Sequence, residues 1–135
     1  MITIRDIDHV VLRVTDLERM IDFYCRVIGC SVERRRDDLG LVHLRAGRSQ
    51  IDLVPVDGPL GRAGGAAPGT EARNMDHVCL RIEAFDQDAL VRHLESHGAR
   101  VGEIGSRFGA DGTGPSIYVH DPEGNVVELK GPPTA

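Results

Sequence analysis

Asp8-His9-Val10-Val11-Leu12-Arg13-Val14 returns 68 residues later as Asp76-His77-Val78-Cys79-Leu80-Arg81-Ile82, with five of the seven positions identical. In a chain of 135 residues such a recurrence makes the molecule two copies of one unit. Each copy alternates along a strand, so Asp8, Val10, Leu12 and Val14 share one face while His9, Val11 and Arg13 share the other. Both histidines therefore stand opposite the aliphatic face. Two histidines at the same repeat position point to a shared polar space.

Working outward, Thr15-Asp16 supplies an N-cap, and Leu17, Met20, Ile21, Tyr24 and Ile28 follow at helical spacing until Gly29. Residues 32–36, 40–46 and 50–54 then read as strands, the last two joined by the Gly47-Arg48 turn and closed by Pro55. Residues 57–74 are rich in Gly, Pro and Ala and read as a linker, with a flap over a site as the alternative. The second copy repeats the order: strand 76–82, a helix carrying Phe85, Ala89, Leu90 and Leu94, and a stop at Gly98. Strands follow at 100–103, 116–120 and 125–130, the last two joined by the Asp121-Pro122-Glu123-Gly124 turn. The glycine-rich stretch 105–114 lies between strands and matches neither a P-loop nor a dinucleotide fingerprint.

A net charge of −5 and a pI near 5.6 argue against nucleic acid or an anionic membrane as the main partner. No apolar run approaches the ~20 residues needed to span a bilayer, and the N-terminus lacks signal-peptide character. Cys25, Cys30 and Cys79 are odd in number and without CxxC spacing, as suits reduced thiols, so a cytoplasmic location is expected.

The closing strands align Gln50-Ile51-Asp52-Leu53-Val54 with Val126-Val127-Glu128-Leu129-Lys130, giving each copy a carboxylate opposite its aliphatic face. A charge on the inner side of a sheet is costly unless it is paired or bound to metal. Taken singly, either histidine reads as a hydrogen-bonded structural residue. Two at one repeat position, each matched by a distal carboxylate, make a ligand set for a borderline divalent ion. Alternation also sets Ser116, Tyr118 and His120 on one face, and Cys79 on the face of His77, where a small buried side chain is expected. Arg13, Arg81 and Arg107 are candidate anion contacts. His43 and Arg45 are left open, and His93 and His97 are expected to face solvent.

The repeated strand–helix–three-strand unit, the two Asp-His-Val strands and the closing Asp121-Pro122-Glu123-Gly124-Asn125-Val126-Val127-Glu128-Leu129 resemble the vicinal oxygen chelate superfamily. That group includes glyoxalase I, methylmalonyl-CoA epimerase, fosfomycin-resistance proteins, extradiol dioxygenases and bleomycin-binding proteins. The resemblance covers all but the linker and tail. It implies an α+β fold of two βαβββ modules, here 4–56 and 75–131, forming a cup-shaped mixed sheet. It implies His9, His77 and Glu128 as ligands of a divalent metal (Zn, Ni, Mn, Co or Fe(II)). Asp52 takes the position where many members have Glu or Gln, as a fourth ligand or a base. Tyr118 and Ser116 would meet substrate, His120 would act as acid or base or stand at the rim, and Arg107 and Cys79 would line the site.

The leading expectation is a glyoxalase-like lyase or isomerase acting on a small oxygenated metabolite chelated to the metal. An Fe(II) extradiol-type dioxygenase is the nearest rival, since two His and one Glu is its facial set. A fosfomycin-type transferase using a thiol cosubstrate or water, and a non-catalytic binder of the bleomycin type, follow. Binders line their groove with aromatics, which make up only 4% of this chain with no Trp. Small members pair, so a homodimer is expected, with His9 donated across its interface.

Overall fold

The computed structural model describes residues 1–135 and divides into two compact units, Met1–Gly69 and Thr70–Ala135. Unit 1 carries strands β1 (His9–Val14), β2 (Ser31–Arg36), β3 (Leu41–Ala46) and β4 (Ser49–Pro55), with helix α1 (Leu17–Asp22) between β1 and β2. Unit 2 carries β5 (Val78–Arg81), α2 (Gln87–Ser96), β6 (Arg100–Gly109), β7 (Gly112–His120) and β8 (Val126–Lys130). Strand order is β1-β4-β3-β2 in one sheet and β5-β8-β7-β6 in the other. In each, the first strand runs parallel to the last and the other neighbours are antiparallel. The protein is thus α+β, two βαβββ modules with one topology. No helix is long and apolar enough to cross a membrane.

The repeat extends to the caps. Asp16 accepts from the Arg19 backbone N–H and Asp86 from that of Ala89, each at 3.1 Å, so both helices start on the same side-chain cap. Each helical segment ends before a glycine at positive φ, Gly29 (100°) and Gly98 (70°). The first segment is not one α-helix as its spacing predicts. After Asp22 it widens into a π turn, Phe23–Val27, closed by the Ile28 N–H on the Phe23 carbonyl at 3.2 Å. Phe23, Tyr24 and Val27 are all buried in that turn.

In unit 1, Leu12 and Val14 of β1, Val42 and Leu44 of β3 and Ile51 and Leu53 of β4 are at most 1% exposed and pack with Met20 and Tyr24. In unit 2 the corresponding layer is Ile117 and Val119, Val127 and Leu129, with Leu94 of α2.

Two stretches carry more structure than their composition suggests. The stretch 57–74, read as a linker, is not featureless. Its first half turns through a 3-10 segment at Gly61–Gly64 and is held to β1 by Arg13. The Arg13 guanidinium donates to the carbonyls of Gly61, Gly65 and Ala66 at 2.6–3.2 Å, so Arg13 is a loop clamp rather than an anion contact. The glycine-rich 105–114 is not a loop either. β6 and β7 run through it as a long hairpin turning at Ala110-Asp111. Its glycines are there for close approach: a Cβ on Gly114 would sit 2.6 Å from the Pro132 carbonyl oxygen, and one on Gly109 2.7 Å from Lys130 Cε.

Candidate active site

In unit 2, register decides which side chains meet. β8 lies between β5 and β7, and Glu128 pairs with Cys79 on one side and Tyr118 on the other. The next residues on that face are Lys130, Arg81 and Ser116. His77 sits one residue before β5, with its Nε2 3.2 Å from Glu128 Oε1. Its Nδ1 is taken by Asp76 at 2.6 Å. The same arrangement recurs in unit 1, where Asp8 holds His9 Nδ1 at 2.7 Å and raises the His9 pKa above its ordinary value. The repeated aspartates orient the imidazoles through Nδ1, which leaves His77 Nε2 to face Glu128. Their signal was present: the aspartate recurs with the histidine it serves.

Around this couple, the His77 and Tyr118 rings meet edge to face with centroids 5.6 Å apart. Arg107 stacks over Tyr118, its guanidinium carbon 4.4 Å from the ring centroid. It is tied down by Ser116 Oγ at 2.7 Å and Glu103 at 3.2 Å. A pocket of about 270 Å³ opens beside the couple, lined by His77, Cys79, Arg81, Glu128 and Lys130 and by the hairpin tip Phe108–Asp111. Lys130 is buried and donates Nζ to the carbonyls of Arg107 and Gly114. Arg81 pairs with the Asp111 carboxylate. Cys79 lines this pocket and is exposed rather than buried, because β5 is an edge strand whose polar face is open. Partial burial and the adjacent Glu128 carboxylate push its thiol up to about 11, so it stays protonated at neutral pH. His120 lies two residues beyond Tyr118, its Nδ1 2.8 Å from Arg100 Nη2. Burial and the Arg100 charge lower its pKa. It is not among the residues lining the pocket.

In unit 1, Asp52 is only 3% exposed and pairs in register with Val11 and His43. His43 Nδ1 stands 3.1 Å from Asp52 Oδ1, yet the contact lacks hydrogen-bond geometry and both atoms are buried without a partner. His43 is the functional candidate that periodicity alone left undecided. It takes the position in unit 1 that Tyr118 takes in unit 2, next to the carboxylate on the antiparallel neighbour. His77 and Glu128 meet within unit 2, while His9 belongs to unit 1; no cluster of three or more His, Cys, Asp or Glu forms a complete ligand set.

Each of the two βαβββ modules sets a carboxylate of its last strand against a histidine from elsewhere in the module, Asp52 against His43 and Glu128 against His77, on a fold of the glyoxalase type. The chain belongs to the Glyoxalase/Bleomycin resistance protein/Dioxygenase superfamily, whose model matches residues 6–129. It is similar to the glyoxalase domain-containing protein RDO1 of Mycosarcoma maydis, 34% identical over 131 residues covering 95% of this chain and 69% of that protein. It is also similar to the mitochondrial methylmalonyl-CoA epimerase of Homo sapiens, 28% identical over 92% of this chain and 72% of that one. Among solved structures, virulence protein STM3117 of Salmonella typhimurium superposes with a TM-score of 0.74 at 26% identity, covering 97% of this chain and 99% of that one.

Proposed function

We propose that this protein is a metal-dependent enzyme of the glyoxalase kind, a lyase or isomerase acting on a small oxygenated metabolite. The observation that carries the reading is the His77–Glu128 couple, an imidazole nitrogen and a carboxylate oxygen 3.2 Å apart. Two neighbouring donors on one ion with bonds of about 2.1 Å stand about 3 Å apart, so the couple suits a shared ion. Glu128 is almost fully buried with its charge on a polar face, and Asp76 occupies the far nitrogen of His77, as ligating histidines require. Together with His9, this makes a two-histidine, one-carboxylate set for Zn, Ni, Mn, Co or Fe(II). When bound, such an ion with open positions supplies Lewis-acid stabilisation of an enolate or oxyanion.

The chain's own groups do the rest. Tyr118, its ring fixed by Arg107, points its hydroxyl at a substrate oxygen. Ser116 fixes Arg107. Arg81 and Lys130 line the pocket with Asp111 and Glu128, so its charges balance, with Arg81 held by Asp111 and Lys130 by backbone carbonyls. Asp52 serves proton transfer in unit 1. The similarity to an epimerase supports the isomerase side of the reading, and methylmalonyl-CoA is the first substrate to try. The working form is a homodimer.

The test is metal content. Native protein is stripped and reloaded with each ion, beside His77→Ala and Glu128→Ala. The expected result is near-stoichiometric uptake by native protein that both substitutions abolish. A preference for Fe(II) with activity toward a catechol would turn the reading to the dioxygenase. No uptake by folded native protein would overturn the enzyme and leave a binding module.

A further inference from the structure

The unit 1 face carries a second histidine–carboxylate couple that the proposed ligand set does not use. Asp52 is 3% exposed, and its Oδ1 has no hydrogen-bond partner. His43 stands against it, with Nδ1 at 3.1 Å and itself buried and unpartnered, and the Asp52 charge also helps to raise the pKa of His9. Buried polar atoms without partners are rare and call for an explanation. Here each atom is the natural partner of the other, since an Nδ1–H to Oδ1 bond would satisfy both.

The two ring nitrogens of His43 differ in surroundings. Nδ1 is the buried one, while the side chain as a whole remains 21% exposed, so the open part of the ring lies away from Asp52. His9 and His77 are built the other way. Their Nδ1 atoms go to the exposed aspartate just before them in sequence. His43 has no such neighbour, since Val42 precedes it, and is oriented instead by a buried carboxylate from the next strand. Both contact atoms of this couple are buried, unlike the His77–Glu128 pair, which borders the pocket.

We propose that Asp52 and His43 form a proton-transfer dyad. Asp52 accepts the Nδ1 proton of His43 and fixes the tautomer, and His43 Nε2 is the base presented on the open face. In the isomerase reading, on which the reaction but not the test rests, Nε2 takes the proton from a carbon beside a carbonyl. The C–H electron pair becomes the enolate, and the imidazolium returns the proton on the face it came from, to the neighbouring carbon in an isomerisation. Asp52 touches no reacting atom. It is the positioning residue, and it stabilises the imidazolium as the buried carboxylate of a Ser-His-Asp triad does.

The experiment reads the tautomer directly in the full chain, freed of metal, by long-range proton–nitrogen NMR of the imidazoles, with His43→Gln assigning the signals. Native His43 is expected to carry its proton on Nδ1. In Asp52→Asn, the amide can donate to Nδ1, and the proton is expected to move to Nε2, while the His9 and His77 signals stay in place. The reaction of His43 with diethylpyrocarbonate, which needs an unprotonated exposed nitrogen, is expected to fall by about 10-fold in the same variant. A native Nε2–H tautomer, or signals unmoved by Asp52→Asn, would overturn the dyad. A second arm loads zinc: Asp52→Asn and His43→Gln are expected to keep the native stoichiometry. Loss of zinc in either would make the couple metal ligands and overturn the proposal. Failure of native protein to take up zinc bears on the proposed function alone, because the tautomer is read without metal.

Discussion

Asp76 and Asp8 are single residues with no reach into a pocket, yet each fixes which nitrogen of the next histidine is free. Replacing either by Asn removes the negative partner while keeping size, so metal affinity is expected to fall 10- to 100-fold, measured by competition with a chromogenic chelator. The fold should survive, since both are exposed. His120 provides a pH test at the same scale. Its pKa is held below 6.5 by burial and by Arg100, so the unfolded chain takes up a proton before the native protein does. Stability from this group is therefore present above pH 6.5 and lost as the pH falls toward the native pKa. Arg100→Ala should raise the His120 pKa in an NMR titration and shrink the loss of melting temperature between pH 7.5 and 5.5. The residue scale is also where sequence was least decisive. His9, His77 and Glu128 stood out because the repeat doubles them. His43 did not, because its contact with Asp52 is a matter of register between β3 and β4 and has no echo in spacing.

The elements were legible wherever a period or a cap announced them. All eight strands and both helices were marked by alternation, by the Asp16 cap or by a stop glycine, and the errors lie at their ends. β6 and β7 run longer than alternation predicts, because glycines that look like loop formers are strand residues crossed closely by other backbone. The same argument makes Gly61 intolerant. A Cβ there would sit 1.9 Å from the Pro55 carbonyl oxygen, so Gly61→Ala must displace the turn that Arg13 clamps. A loss of about 1–3 kcal/mol is expected in chemical denaturation, with faster proteolysis near residues 61–66. Leu53→Ala, in a strand whose Leu53 is wholly buried, should cost about 2–5 kcal/mol by the same measurement.

At the scale of the molecule, each unit presents one histidine–carboxylate couple, and the proposed metal sites are those of a homodimer. A homodimer that shares these sites should sediment as a dimer and lose metal on dilution to monomer. A monomer with full metal occupancy and activity would overturn the shared site. The sequence by itself determined the two-module α+β architecture. Repetition, strand alternation and glycine stops are local or periodic signals, carried in the order of residues. Tertiary structure alone decided that Asp76 and Asp8 orient imidazoles, that Arg13 holds a loop and that His43 faces Asp52. Each of these depends on distances set by strand register and side-chain direction, which bring together atoms that the chain order keeps apart.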